Sequence, residues 1–342
     1  MQVRSIKRAL LAAAFGIPAC FTAAGPVAAE PKQASIAFVV VAEDPLAQAM
    51  YLMAEYMERS LPESFDIEVY PASTLFTQSQ QIPAMTRGNL EFGYVNMFDI
   101  SAQVPEASIL TAGYLIRDID HHCTVLKSDF GQSILAQVED KMGIKVIGQA
   151  LIGYRTLVLR EKQEVNVPAD IADLTMRETG TEAFQFLAEA LGAKPTPIAY
   201  GELYLALQTG TVDAFAGFAT AMENTKFYEV TEQFVLTNHL VGIDLIGVST
   251  KFWDTLSDQE KAVVLEAADV ASTFATNSRL RAEESALERL VELGMEVTTP
   301  DVEAFREHMT AKYLNSKFAE AWPEGLWEEI QAMPSEPNCK MS

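Results

Sequence analysis

The 342-residue chain is poor in the residues on which much hydrolytic and redox chemistry depends, with three cysteines and four histidines. It has no Cys-x-x-Cys pair and no cysteine–histidine cluster at zinc spacing, so no metal site is expected. The histidines are scattered apart from His121-His122, which read as a surface or satisfied pair. There is no Gly-x-Ser-x-Gly elbow, no His-Glu-x-x-His helix and no phosphate-binding glycine loop, so no enzyme class or cofactor suggests itself. Positive charge is also scarce: 25 Lys and Arg stand against 47 Asp and Glu, a formal charge of −22. Such a field repels nucleic acid and anionic lipid surfaces. An anionic small molecule can be held only at a local positive site that works against the global field. Beyond the first thirty residues no apolar run approaches the roughly 20 residues of a membrane span, so no insertion of the mature chain is expected.

The N-terminus carries a clear pattern. Arg4, Lys7 and Arg8 precede an apolar run from Ala9 to Ala19, and Val27-Ala28-Ala29 forms a small-residue cleavage site. This is a secretory leader over residues 1–29, and it implies export to the periplasm. Ile17-Pro18-Ala19-Cys20 loosely matches a lipobox, but Pro18 fits it poorly and a better site lies downstream, so a lipoprotein anchored through Cys20 is not expected. Removing the leader takes three bases with it and leaves Cys123 and Cys339. In an oxidising compartment these two either pair or remain free thiols. With 49% hydrophobic residues the body is globular, and its length exceeds what one core usually holds, so two domains are expected.

Strand and helix patterns alternate along the first part. Ser35 to Val41 is an apolar strand, Asp44-Pro45 opens a helix through Tyr56 and Met57, and Phe65 to Tyr70 alternates as a second strand. Gln80 to Met85 is helical and closes at Arg87-Gly88; Phe92 to Val95 is a third strand. Ile144–Gly148 and Arg155–Leu159 read as two further strands, Leu174–Arg177 as another, and Thr181–Leu191 as a helix stopped by Gly192. Pro195–Ile198 is extended, Glu202–Thr209 a short helix, and Val212–Ala216 strand-like. This alternation predicts an α/β fold with a mostly parallel sheet. Ser257-Asp258-Gln259-Glu260 is a capping box, and the pattern after it runs unbroken to Leu293. It is either one long helix or two helices broken at Thr276-Asn277-Ser278.

The stretch from Leu174 to Asp213 is specific. It reads Leu174-Thr175-Met176-Arg177, then Leu191-Gly192-Ala193-Lys194-Pro195-Thr196-Pro197, then Gly201-Glu202-Leu203-Tyr204-Leu205-Ala206-Leu207-Gln208-Thr209-Gly210-Thr211-Val212-Asp213. Lys226-Phe227-Tyr228-Glu229-Val230 and Leu236-Thr237-Asn238-His239 follow, with Phe252-Trp253 and Leu256-Ser257 before the long helix. Val69-Tyr70-Pro71 and Val104-Pro105-Glu106 lie upstream. In this order these segments resemble the DctP-type solute-binding proteins of tripartite ATP-independent periplasmic (TRAP) transporters, across nearly the whole mature chain.

The resemblance implies a two-domain periplasmic binding-protein fold with a hinge, an interdomain cleft and a long helix bracing both domains. The expected division is residues 30–152 plus 243–282 for the first domain, 153–242 plus 283–330 for the second, and a tail at 331–342. The chain is expected to cross between them near Ile152, near Gly242 and within the long helix. The resemblance further implies capture of a small organic acid and its delivery to TRAP membrane subunits by a monomeric protein. A sensory protein presenting the ligand to a receptor kinase would carry the same residues, and a periplasmic enzyme is the weaker alternative.

Arg177 matches the family arginine that pairs with the ligand carboxylate; a planar guanidinium offers paired donors and keeps its charge when buried. Arg155 falls where many members carry a second cleft arginine. Asn96 ends a strand facing the cleft, as a ligand donor or a turn residue, and Tyr200 is a wall residue. Glu202 reads as a turn or cap group. The family's cleft asparagine falls on Gly217, flanked by Phe215 and Phe218. This departure suggests a ligand less hydroxylated than a sugar acid, unless both phenylalanines belong to the core. Leu75-Phe76-Thr77 replaces a glycine-rich family loop, so the shape of that loop is expected to differ.

Overall fold

The computed structural model describes residues 30–340. The expected leader, with Cys20 and the cleavage site, lies outside them. β1 (Lys32–Ala37) ends earlier than the apolar run to Val41 predicts, because Phe38 to Val41 leave the strand and line a cavity. Asp44 then caps α1 (Pro45–Ser60), its carboxylate accepting from the Leu46 amide at 2.9 Å. β2 (Phe65–Tyr70), α2 (Gln78–Arg87) and β3 (Phe92–Val95) follow as the pattern predicts, and Gly88 takes the left-handed conformation (φ 76°) that ends α2. Next come α3 (Met97–Ser101), α4 (Ile119–Lys127) and α5 (Asp129–Met142).

The two strands expected at Ile144–Gly148 and Arg155–Leu159 are one strand, β4 (Ile144–Leu159). Its alternation is hidden by register shifts at Val146/Gly148, Leu151/Gly153 and Arg155/Leu157 against β8 (Gln233–Ser249), because each bulge resets which face the side chains take. Between these long strands lie β5 (Thr175–Glu178), α6 (Glu182–Leu191), β6 (Lys194–Pro197), α7 (Leu203–Gln208), β7 (Ala214–Gly217) and α8 (Ala219–Asn224). After β8 come α9 (Thr250–Trp253), α10 (Asp258–Glu292), β9 (Glu296–Thr298), α11 (Val302–Leu314) and α12 (Leu326–Ala332).

Among the described residues the strands form a single sheet in the order β2-β1-β3-β8-β4-β7-β5-β6, with β9 on β8. It is mixed rather than mostly parallel. β1 is parallel to β2 and β3, and β5 to β6 and β7, but β4 and β8 run antiparallel to each other and to β7 and β3 respectively. The reason is topological: a chain that crosses the molecule along β4 must return along β8. β3 pairs with residues 245–248 of β8, whereas β7 pairs with residues 156–159 of β4, so the long strands carry one parallel group at each end.

The long helical pattern is one helix. α10 has 35 residues, about 50 Å at 1.5 Å each, and starts at the predicted box, where Ser257 Oγ accepts from the Glu260 amide. Thr276, a candidate break, lies inside it, and its hydroxyl accepts from the Leu151 amide of β4 at 3.3 Å. Ala267, Ala268, Ala271 and Ala275 are fully buried beside Met50 and Met53 of α1, and their small size lets the two helices approach. Leu290, four turns on, packs into a different core with Phe215, Phe227 and Phe234. The helix thus braces two separate apolar clusters.

α12 returns to α4. His121 Nε2 lies 2.9 Å from the Ile330 carbonyl, and Arg117 donates to the Gln331 and Met333 carbonyls. His121 and His122 are both buried and bonded, not on the surface; His122 Nδ1 lies 2.8 Å from Gln149 Oε1. A disulfide joins Cys123 to Cys339, which decides the question of free thiols and anchors residues 331–340. Cys339→Ser is expected to lower stability by about 2–4 kcal/mol and to free this tail. Denaturant titration gives the first quantity, and limited proteolysis with mass analysis shows whether the C-terminus is clipped first.

Candidate functional site

β4 and β8 pair along their length and cross the molecule together, and midway Gly153 faces Gly242. Gly153 has φ +133°, a conformation that strains any side-chain-bearing residue, and a Cβ on Gly242 would lie 2.5 Å from the Phe218 ring. Both glycines therefore let Phe218 sit directly on the crossing point. Beside it opens a cavity of about 190 Å³, walled by residues 38–41 after β1 with α1, α2, β3 and α3 on one side and β5, β7 and α8 on the other. All seven residues singled out in the sequence line it: Asn96, Arg155, Arg177, Tyr200, Phe215, Gly217 and Phe218.

Arg177, on β5, is 4% exposed. Its Nε donates to the Ile198 carbonyl at 2.9 Å, which aims the guanidinium, and its Nη2 has no hydrogen-bond partner. Tyr200 lies under it, ring centroid 5.6 Å away, and burial pushes the Tyr200 hydroxyl up to about 12. Burial lowers the arginine from its ordinary value without removing its charge. Arg155, on β4, is held between the Phe184 and Phe218 rings at 5.3 and 4.9 Å, and its Nη1 donates to the Ala216 carbonyl. Glu178 follows Arg177 along β5; burial pushes its carboxyl up to about 7 against the pull of both arginines. Phe184 also stacks on Phe98 of α3, centroids 3.9 Å apart, so an aromatic contact spans the cleft.

The opposite wall is acidic. Asn96 spends its side chain on α3, accepting from the Asp99 amide at 3.0 Å and donating to the Asp99 carboxylate at 2.8 Å. Read as a ligand donor or a turn residue, it is the N-cap of α3, and its bonds go to Asp99. Burial pushes the Asp99 carboxyl up to about 6, partly offset by the bonds from Asn96 and Gln78. Asp244, on β8, is partly open to the cavity but densely surrounded. Burial pushes it up to about 7, Asp99 and Asp44 add to the rise, and Arg155 and Arg279 pull against it. No hydrogen bond from the described residues reaches the Asp244 carboxylate.

Phe215 is 3% exposed and packs edge-on to Phe227 at 5.2 Å, so it is core as well as wall. A Cβ on Gly217 would meet Val158 and Phe215 at 2.8 and 2.9 Å, so an asparagine there would require both to move. Sequence reading missed Arg279, Asp44, Asp99 and Asp244. Arg279, on α10, is 1% exposed, pairs with Asp44 at 2.5 Å and donates to Thr220 Oγ1 at 2.7 Å. A signal existed for Asp44, in its position before Pro45, but it reads as a cap; Arg279 sits among polar helix residues and Asp244 inside an apolar strand, with nothing local to mark either.

A solved structure shows the same architecture, and curated proteins are similar in sequence. A protein described as a TRAP periplasmic solute-binding protein from Roseobacter denitrificans, crystallised with 3-deoxy-D-manno-oct-2-ulosonic acid, superposes with a TM-score of 0.85 at 33% identity over 89% of this chain and 99% of its own. The sialic acid-binding periplasmic protein of Vibrio cholerae is 27% identical over 77% of this chain and 81% of its own length. The C4-dicarboxylate-binding periplasmic protein of Rhodobacter capsulatus is 25% identical over 89% and 92% respectively. Among the described residues no helix is long and apolar enough to cross a membrane, and no group of His, Cys, Asp or Glu is arranged to hold a metal ion. The sequence model of the DctP group, bacterial extracellular solute-binding proteins of family 7, matches residues 36–320, and with a two-ended sheet, a bracing helix and a cleft behind it, this chain belongs to that family.

Proposed function

We propose that this protein captures a small organic carboxylate in the cleft and hands it to the membrane subunits of a TRAP transporter, without chemical turnover. The supporting observation is Arg177: a guanidinium buried to 4% exposure, fixed through Nε, with Nη2 free of partners at a cavity wall. A carboxylate docked there accepts from the fork, and Arg155 supplies a second cation. Tyr200, Phe215 and Phe218 shape the wall around it. Gly217 offers no polar side chain, so the ligand is poorer in hydroxyls than a sugar acid.

The binding cycle is a hinge closure. Residues 30–152 with 243–282 form one lobe and 153–242 with 283–330 the other, turning about Gly153–Gly242. The Phe98–Phe184 stack closes the mouth, and ligand shifts the balance toward the closed form by binding it better. The protein works as a monomer in the periplasm after loss of its leader. The named ligands of the relatives, a C4-dicarboxylate, sialic acid and an octulosonic acid, are all acids, in keeping with carboxylate capture.

The test is thermal unfolding of refolded, ligand-free protein against dicarboxylates, 2-oxo acids, sugar acids, aromatic acids and amino acids. An acid at 100 times its Kd adds about 2.7 kcal/mol of stability. Stabilisation by some acids, and by none of their amides, supports carboxylate capture. A response confined to polyhydroxylated sugar acids overturns the hydroxyl-poor reading, and turnover of the bound acid overturns the non-enzymatic one.

A further inference from the structure

The cavity has two poles of opposite charge. Arg155 and Arg177 stand on the β4 and β5 side of the Gly153–Gly242 crossing, with Asp99 and Asp244 on the α3 and β8 side. Every other charged group facing the acidic pole is accounted for. Asp44, at the start of α1, is paired with Arg279 of α10. Tyr94 of β3 donates to the Leu46 carbonyl. Arg155 attracts Asp244 through space but donates to Ala216 and lies between two rings. Asp99 receives amide hydrogen bonds and no cation. The Asp244 carboxylate receives no hydrogen bond from the described residues, and Arg155 and Arg279 act on it only through space.

In a closed cleft such a carboxylate either stays protonated or takes a partner, because burying an unpaired charge costs several kcal/mol. A hydroxyl supplies one hydrogen bond and leaves the charge; a cation supplies both bond and charge. Arg177, more than nine-tenths buried and with Nη2 unpartnered, independently marks the same cavity as a ligand site. Resting on the carboxylate reading above, we propose that the ligand is zwitterionic, its carboxylate held by Arg177 and Arg155 and a cationic nitrogen held by Asp244 with Asp99 beside it.

The effect on protons is distinctive. Asp244 is raised to about 7 by burial and by its acidic neighbours, so it is part-protonated near neutral pH. A bound cation lowers that value and expels the proton, whereas a bound anion without a cation raises it and takes a proton up.

The test is calorimetric titration of the full mature protein with matched probes: ω-amino acids and ω-hydroxy acids of the same length, spanning two to six carbons between the groups, and the corresponding simple amines. Titrations at pH 7 in buffers of different ionisation heat read the proton count. The expected result is an amino acid bound at least 10-fold tighter than its hydroxy partner, with proton release. Asp244→Asn should erase that preference while its ligand-free melting temperature stays near wild type, and Asp99→Asn should reduce it. A hydroxy acid bound as tightly as its amino partner, a preference unchanged in both variants, or no binding by any amino member overturns the proposal and leaves carboxylate capture standing. Simple amines binding as well as the amino acids would instead overturn the carboxylate reading itself.

Discussion

Arg177→Ala is expected to weaken binding of the carboxylate ligand by about 2–5 kcal/mol, on the order of 30-fold to several thousand-fold in Kd. The loss has two parts: the paired donors disappear, and the carboxylate enters a desolvated pocket without its counter-charge. Arg177→Lys keeps the charge but not the planar fork, so it should fall between alanine and wild type. Folding should respond far less. The guanidinium makes one hydrogen bond, to Ile198, and its Nη2 is buried without a partner, so truncation removes a desolvation cost together with that bond. Calorimetric Kd values and ligand-free melting curves on the same preparations separate the two effects. A variant that unfolds but, at low temperature, binds normally would mean that Arg177 serves the fold and not the ligand.

The largest stability change is expected at Asp44. Its carboxylate caps α1 at Leu46 and pairs with Arg279, and both residues are nearly inaccessible, at 4% and 1% exposure. Asp44→Ala leaves a buried guanidinium with only Thr220 as partner, which costs about 3–5 kcal/mol, and the lost cap adds about 1 kcal/mol. Adding Arg279→Met removes the stranded charge and should recover most of the first amount, since a buried ion pair is often worth no more than a well-packed apolar replacement. Urea titration of the two single variants and the double variant gives the coupling directly. Additive losses in the double variant would show that the pair contributes nothing as a pair.

Arg177 was legible because the short strand that carries it and the proline-flanked return after it match the family's segments as one contiguous pattern. The capping box at Ser257 and the helix it starts were legible locally, because each turn depends only on residues three and four apart. β4 was not legible as one strand, because its bulges sit where β8 pairs with it, and pairing with residues some ninety positions away leaves no trace in local alternation. Phe215 and Phe218 were legible as aromatic bulk near the cleft, but their choice between core and wall was not. Their rings pack on Phe227 and on the crossing glycines, which only the approach of β8 determines.

By itself the sequence determined the family, the elements with strong local periodicity, the excess of negative charge and the arginine set against it. The family and the arginine rest on the resemblance that the ordered segments carry, whereas the elements and the charge follow from composition and from short-range sterics. The tertiary structure alone decided the mixed sheet, the Cys123–Cys339 bond, the buried Asp44–Arg279 pair and the acidic pole of Asp99 and Asp244. Each of these depends on groups brought together from distant parts of the chain, where burial strengthens charge and hydrogen bonding beyond anything the residues express alone.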